Sequence, residues 1–150
     1  GGTMSLFKQF KTDSKVEKEG ILLDYGPNKD LPANADGSHP VIMIRIARAG
    51  GANDAYNKRI EALSKKHRRK IQNDALEIAE LREMTMHAVA DTVILGWENV
   101  TDEDGNPMPF SRDNALKLFK LLPDLFNDVQ EQAAKAALFR AHVREDDLGN

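Results

Sequence analysis

The sequence has 150 residues, of which 41% are hydrophobic and 30% are charged, and its formal net charge is −3. These values predict one globular domain over 1–150, and they exclude a protein drawn onto nucleic acid by a globally basic field. The chain has no cysteine, which excludes disulfides, thiolate metal sites and cysteine nucleophiles. No stretch has the length of a membrane span or the pattern of a signal peptide.

Both ends of the sequence are predicted to lie outside the fold. Residues 1–3, ahead of Met4, have the composition of a cloning scar. Residues 145–150 (EDDLGN) are acidic and polar, so we expect a disordered tail.

The first regular structure predicted along the chain is a β-hairpin. The apolar run ILLDY follows Gly20, and the β-branched run VIMIRIAR follows Pro40. The segment 26–40 between them is rich in Pro, Gly, Asn and Asp, which is typical of a loop. A hairpin alone is marginally stable in water, so helices are expected to cover it.

Four helices are predicted after the hairpin. The first spans 53–72 and has an apolar stripe at helical spacing on one side. The second runs from a cap at Asp74 to about Gly96 and is apolar over more than half its circumference, which indicates a central helix.

Local signals place the last two helices. Ser111 is a predicted N-cap with Asp113 in the first turn, and Pro123 suits the start of the fourth helix, which continues to about Arg144. The predicted fold is therefore α+β and mainly α-helical, with an N-terminal β-hairpin followed by about four helices packed in one domain.

A basic run, KKHRRK at 65–70, is the sharpest local signal. Three interpretations remain open: a face that is solvated or paired with the acidic second helix, a contact surface for an acidic protein, or a phosphate-binding surface. The acidic chain and its 6% aromatic content argue against nucleic acid. The candidate partner-binding residues are Lys58, Lys65, Lys66, Arg69 and Lys70.

The stretch GWENVTDEDGNPMPFS at 96–111 raises the question of a calcium loop. Alignment with an EF-hand loop places Val100 where an oxygen ligand is required and Ser111 where glutamate is required, which argues against calcium. The Asp-Gly-Asn-Pro sequence instead predicts a turn in which Gly105 takes a positive φ. Trp97 and Phe110 are the predicted packing anchors on either side of it.

No catalytic constellation is recognisable. Glu83, His87 and Asp91 share one helical stripe, but no second helix carries the carboxylate–histidine pattern that would complete a metal site, so a solvated face is expected. Nucleophile-elbow, phosphate-loop and zinc-protease motifs do not occur in the sequence. We therefore expect a protein that is not an enzyme, with no catalytic residues, no metal and no cofactor.

The order of these motifs resembles the tail assembly chaperones of long-tailed phages and prophages. The resemblance spans Leu6 to about Arg144 and is densest in TVILGWENVTDEDGNPMPFSRDNALKLFKLLPDLFNDV. The matching positions there are Leu95, Trp97, Asp102 to Asn106, Pro109 to Ser111, Asn114, Ala115, Pro123 and Asp124. Further matches are Phe10, Asp13, Glu17 and Gly20 before the hairpin, and Lys65 to Arg69 after it.

The resemblance implies a role in assembly rather than catalysis. Proteins of this family bind the tape measure protein, keep its helices soluble and help recruit tail tube subunits, and the finished virion lacks them. It therefore implies a location in the cytoplasm of the bacterial host, with self-association left open and no membrane partner. The alternative is a small helical nucleic-acid-binding regulator that uses 65–70.

Overall fold

A computed structural model describes residues 5–140 of the chain. Helices and a small sheet alternate along it. The elements in chain order are α1 (Leu6–Phe10), α2 (Ser14–Glu19), β1 (Ile21–Pro27), β2 (Val41–Ile46), α3 (Asp54–Ser64), a 3₁₀ turn (Lys65–His67), α4 (Arg68–Gln72), α5 (Ile78–Thr92), β3 (Ile94–Glu98), α6 (Arg112–Leu121), α7 (Pro123–Ala134) and a second 3₁₀ turn (Ala136–Phe139). The α+β class with predominant helix is confirmed.

The three strands form one antiparallel sheet in the order β1–β2–β3. Ile44 lies at its centre, opposite Leu23 on β1 and Trp97 on β3. Because side chains alternate between the faces of a strand, these residues share one face with Ile21 and Ile46. That face carries the buried residues, so it is the face that the helices cover.

The main core joins this sheet face to α5, α6 and α7. Apolar side chains from every layer are almost fully buried, and the largest of them are Ile44, Ile46, Val89, Val93, Phe119, Phe126, Val129 and Phe139. A second, smaller cluster joins α3 to α5 through Leu63, Met84 and Ala88. Helix α3 is therefore attached to the domain through α5, the central helix of the predicted arrangement.

The predicted second helix is wrong at both ends. Its N-terminal cap was expected at Asp74, which instead lies in a turn with φ of 53°, and α5 begins at Ile78. At the other end the chain leaves the helix at Thr92 and pairs with β2 as β3. The apolar run favours either structure, and the unpaired edge of β2 decides between them.

The predicted first helix, 53–72, is interrupted. A 3₁₀ turn separates α3 from α4, and the N–H of Arg68 donates to the carbonyl of Lys65 across it. Asn53 stands at the N-terminus of α3, where its side chain forms no capping hydrogen bond. Its Nδ2 instead donates to the carbonyls of Arg48 and Thr92. This buried amide joins the segment after β2 to the end of α5.

The predicted fourth helix is too long. Helix α7 begins at Pro123 as expected, but it ends at Ala134, and a 3₁₀ turn follows. The predicted cloning scar at 1–3, the disordered tail at 145–150 and the last residues of the predicted helix lie outside the described residues.

Candidate functional site

The basic run forms a concave surface where α3 passes into α4. The side chains of six consecutive residues, Lys65 to Lys70, line a depression of about 560 Å³. All of them are exposed except His67, which is half-buried. The 3₁₀ turn, Lys65–His67, forms half of this lining and winds the chain more tightly than an α-helix would.

One side of the basic run is paired with α5. Lys70 Nζ donates to both carboxylate oxygens of Glu80, at 2.8 and 3.0 Å. His67 Nδ1 lies 3.4 Å from the same carboxylate. The hydrogen bond between Lys70 and Glu80 raises the pKa of Lys70 and lowers the pKa of Glu80. Lys70 is therefore paired with another residue of the same chain, unlike the other four predicted contact residues.

The other four candidate contact residues face outward. Lys58, Lys65, Lys66 and Arg69 are exposed, and none has an ion pair with another residue between 5 and 140. Lys58 lies about two helical turns before Lys65. The fold therefore groups Lys65, Lys66 and Arg69 on one turn of the chain, with Lys58 farther along α3.

Arg68 joins this outward group and is absent from the sequence-based candidates. It is exposed and lines the same depression as Lys65 and Arg69. Within residues 5–140 it forms no ion pair. Its place inside KKHRRK is the signal that could have identified it.

The acidic stripe of α5 is divided among several partners. Asp91 accepts a hydrogen bond from Arg59 Nε at 2.8 Å. Glu83 Oε1 lies 3.0 Å from Lys120 Nζ on α6 and 3.2 Å from His87 Nε2. The hydrogen bond from Lys120 lowers the pKa of Glu83. These side chains bind cations on neighbouring helices, and within the described part of the chain no group of three His, Asp or Glu could hold a metal ion.

A groove of about 440 Å³ separates α3 from α5. Leu63, Ala79 and Met84 supply its apolar lining, and the remaining lining residues are Arg59, Lys66, His67, Glu80, Glu83 and His87. Among the pairs between elements described above, His67 and Glu80 both line this groove. The arrangement can hold two helices together, and it leaves Lys66 on the border between this groove and the basic depression.

The turn at 102–106 is held by its own backbone. Asp102 Oδ1 accepts from the N–H groups of Asp104 and Asn106, and Gly105 has a φ of 80°. Asp102 N donates to the carbonyl of Asn106. The carboxylate that would be a calcium ligand is thus engaged in turn formation.

Trp97 lies in β3 instead of at a helix end, and it is half-buried. Its indole Nε1 donates to the carbonyl of Met108 at 2.8 Å. Its ring meets that of Phe110 edge-on, with centroids 5.2 Å apart. Trp97 therefore anchors the chain that leaves the turn to β3.

Ser111 and Pro123 occupy the predicted helix starts. Ser111 Oγ accepts from the N–H of Asn114 at 3.0 Å, which caps α6. Pro123 is the first residue of α7. Both residues therefore stand at the starts of helices, and neither lines the basic depression.

Within residues 5–140, no helix combines the length and the apolarity that crossing a bilayer requires.

Comparisons with known proteins identify a family. The chain matches no curated protein and no solved structure. Residues 51–150, from Gly51 shortly before α3 onward, match the family model described as YdaY prophage protein. Because this match covers well over half of the chain, the protein belongs to the YdaY prophage protein family.

Proposed function

We propose that this prophage protein is a phage tail assembly chaperone. In this role it binds the tape measure protein and tail tube subunits in the cytoplasm of the bacterial host while the tail is built. It catalyses no reaction and is absent from the finished virion. Membership of a prophage family agrees with this role, and the observation that carries the proposal is the ordered set of motifs from Leu95 to Asp124.

The positions of these motifs in the fold support the resemblance. Trp97 anchors the chain after the turn, Gly105 allows the turn, Ser111 caps α6 and Pro123 begins α7. The matching residues thus define one continuous unit of structure, β3–turn–α6–α7. Similarity over such a unit is more specific than similarity in isolated turns and caps, which recur in unrelated folds.

The charge distribution supports a protein partner for the exposed cations. Lys65, Lys66 and Arg69 project from a chain of net charge −3. A cluster of positive charges on a chain whose net charge is negative favours a partner that presents negative charge over a small area. Tape measure protein is the partner proposed for this surface, and tail tube protein and a second copy of the chain remain further partners.

Co-expression tests the proposal directly. The chain is produced in bacteria together with the tape measure protein of the same prophage, and the soluble fraction and the complexes that co-purify are measured. The proposal expects the tape measure protein to be soluble and bound only when the chain is present, and finished tails to lack the chain. A tape measure protein that aggregates equally with and without the chain would contradict the proposal.

A nucleic-acid-binding regulator is the second candidate, because Lys65 to Lys70 line one depression. This function predicts binding to a DNA or RNA duplex that weakens steeply with salt, since phosphate contacts release counterions. A titration with duplex at several salt concentrations distinguishes the candidates. Binding of duplex together with indifference to the tape measure protein would favour the regulator.

A further inference from the structure

A shallow groove runs along the outer side of α3 and α4. It has a volume of about 300 Å³ and is lined by Glu61, Ser64, Lys65, Arg68, Ile71 and Gln72. We call it the outer groove. Its lining residues are spaced by one, three or four positions, which places them on one helical face that continues across the 3₁₀ turn. Lys65 and Arg68 also line the basic depression, so the two surfaces are continuous.

The outer groove has a strong excess of positive charge at its centre. Lys65 and Arg68 lie in it, and Lys66 and Arg69 stand beside it in the depression. None of the four forms an ion pair with any residue from 5 to 140. Four like charges within one turn repel one another, and carboxylates from a partner would relieve that repulsion.

The floor of the groove suits the close approach of a helix. Ile71 lines it and leaves 44% of its surface exposed. Ser64 is small, and its hydroxyl donates to the carbonyl of Glu61 at 2.8 Å, so its hydrogen-bonding need is met within the chain. A partner can thus bury apolar surface on Ile71 without leaving this hydroxyl unsatisfied.

We propose that the outer groove binds an acidic amphipathic α-helix of a partner protein. An apolar residue of that helix packs on Ile71, and carboxylates spaced by three or four residues face Lys65 and Arg68. Glu61 also lines the groove, and its negative charge repels carboxylates. The carboxylates of the bound helix therefore lie away from Glu61. The inference rests on the proposed function in one respect, since it takes the tape measure protein to supply this helix.

The surroundings favour a protein helix over nucleic acid. Glu61 and Glu80 border the cations on two sides, so a longer polyphosphate backbone would run onto negative charge. No Phe, Tyr or Trp from the described residues lines either surface. The imidazole of His67 is half-buried beside Glu80, so bases would find little aromatic surface on which to stack. Ile71 offers an apolar contact that a phosphate backbone cannot use.

A peptide-binding experiment with the full chain tests the groove. The probe is a fluorescent helical peptide of about 20 residues with Leu on one face and Glu beside it, compared with a version in which Gln replaces Glu. Lys65→Glu with Arg68→Glu should weaken binding on the order of tenfold, and the Gln peptide should bind similarly weakly. Ile71→Ser should weaken binding on the order of threefold. Lys15→Glu with Lys18→Glu on α2 is the charge-matched control and should change binding by less than about twofold.

Circular dichroism first establishes that each variant keeps the wild-type helix content. The same variants are then assayed with the tape measure protein and with a DNA duplex of about 20 base pairs. Failure of the wild-type chain to prefer the Glu peptide would overturn the inference. The inference would also be overturned if the chain bound the duplex more tightly than the peptide and Ile71→Ser changed neither affinity.

If Lys65→Glu with Arg68→Glu keeps the tape measure protein soluble at wild-type level, the groove inference fails and the chaperone proposal stands. If the Glu peptide binds as expected but the tape measure protein does not, the inference stands and the chaperone proposal fails.

Discussion

Glu17 and Arg48 form a salt bridge of 2.8 Å that ties α2 to the segment after β2. The Glu17 side chain is 4% exposed, and it also accepts hydrogen bonds from Thr12 Oγ1 at 2.8 Å and from the N–H of Ala52 at 3.2 Å. The N–H of Arg48 donates in turn to the carbonyl of Glu17. One carboxylate thus holds the N-terminal segment against the chain that leads into α3.

Replacing this carboxylate should destabilise the protein. Glu17→Ala leaves the Arg48 guanidinium and the Ala52 N–H without their acceptor, and we expect the free energy of unfolding to fall by about 2–4 kcal/mol. The value lies toward the lower end for a broken ion pair, since the Arg48 side chain remains 23% exposed. Urea unfolding at pH 7 measures it. Glu19→Ala, an exposed acidic residue on the same helix, is the control and should cost under about 0.5 kcal/mol. Equal losses in both variants would contradict the prediction.

The same carboxylate should make stability depend on pH. Burial raises the pKa of Glu17, but the hydrogen bonds from Thr12, Arg48 and Ala52 lower it by more, so the folded pKa lies below 4.5. The unfolded chain therefore takes up the proton first as pH falls, and folding loses this contribution as pH drops below about 4.5. Wild type should exceed Glu17→Gln in stability by a constant amount above about pH 5.5, and the difference should shrink below pH 4.5. A difference that stays constant down to pH 3 would contradict the prediction.

Trp97 should contribute to stability through packing and through its indole N–H. Trp97→Ala is expected to cost about 2–3 kcal/mol, below the roughly 3–5 kcal/mol of a fully buried aromatic residue, because the ring is half-buried. Trp97→Phe keeps most of the contact with Phe110 and loses the bond to Met108, so about 1 kcal/mol is expected. Chemical denaturation measures both. Glu98→Ala on the same strand is the control, and a loss as large there would show that the strand alone is responsible.

The turn at 102–106 should bind no calcium. Asp102 Oδ1 is occupied by two backbone N–H groups, Ser111 Oγ caps α6, and Val100 offers no side-chain oxygen. Calorimetry with millimolar calcium should show no binding heat, and the melting temperature should not change. Asp102→Asn is the matched variant, since its amide oxygen can still accept the two N–H groups. A calcium-induced stabilisation that Asp102→Asn abolishes would overturn this expectation.

Elements set by short-range signals were predictable. Ser111 and Asp113 marked the start of α6, and Pro123 marked the start of α7, because caps and proline act within one turn of the chain. The β1–β2 hairpin followed from two apolar runs joined by a loop of turn-forming residues. For the candidate site, the position of the cations at 65–70 was predictable, because charge can be read without knowing the fold.

Tertiary structure decided the rest. Residues 93–98 suit a helix or a strand, and only the unpaired edge of β2 made them β3. Likewise, Lys70 and Arg68 are equivalent in the sequence, but the first turn of α5 brings Glu80 to Lys70 and leaves Arg68 facing outward. Sequence by itself therefore determined the chain's local turns, caps and charge clusters, since these depend on neighbours a few residues away. Which charges are paired and which remain for a partner depended on residues brought together from different elements, and those meet only after the chain has folded.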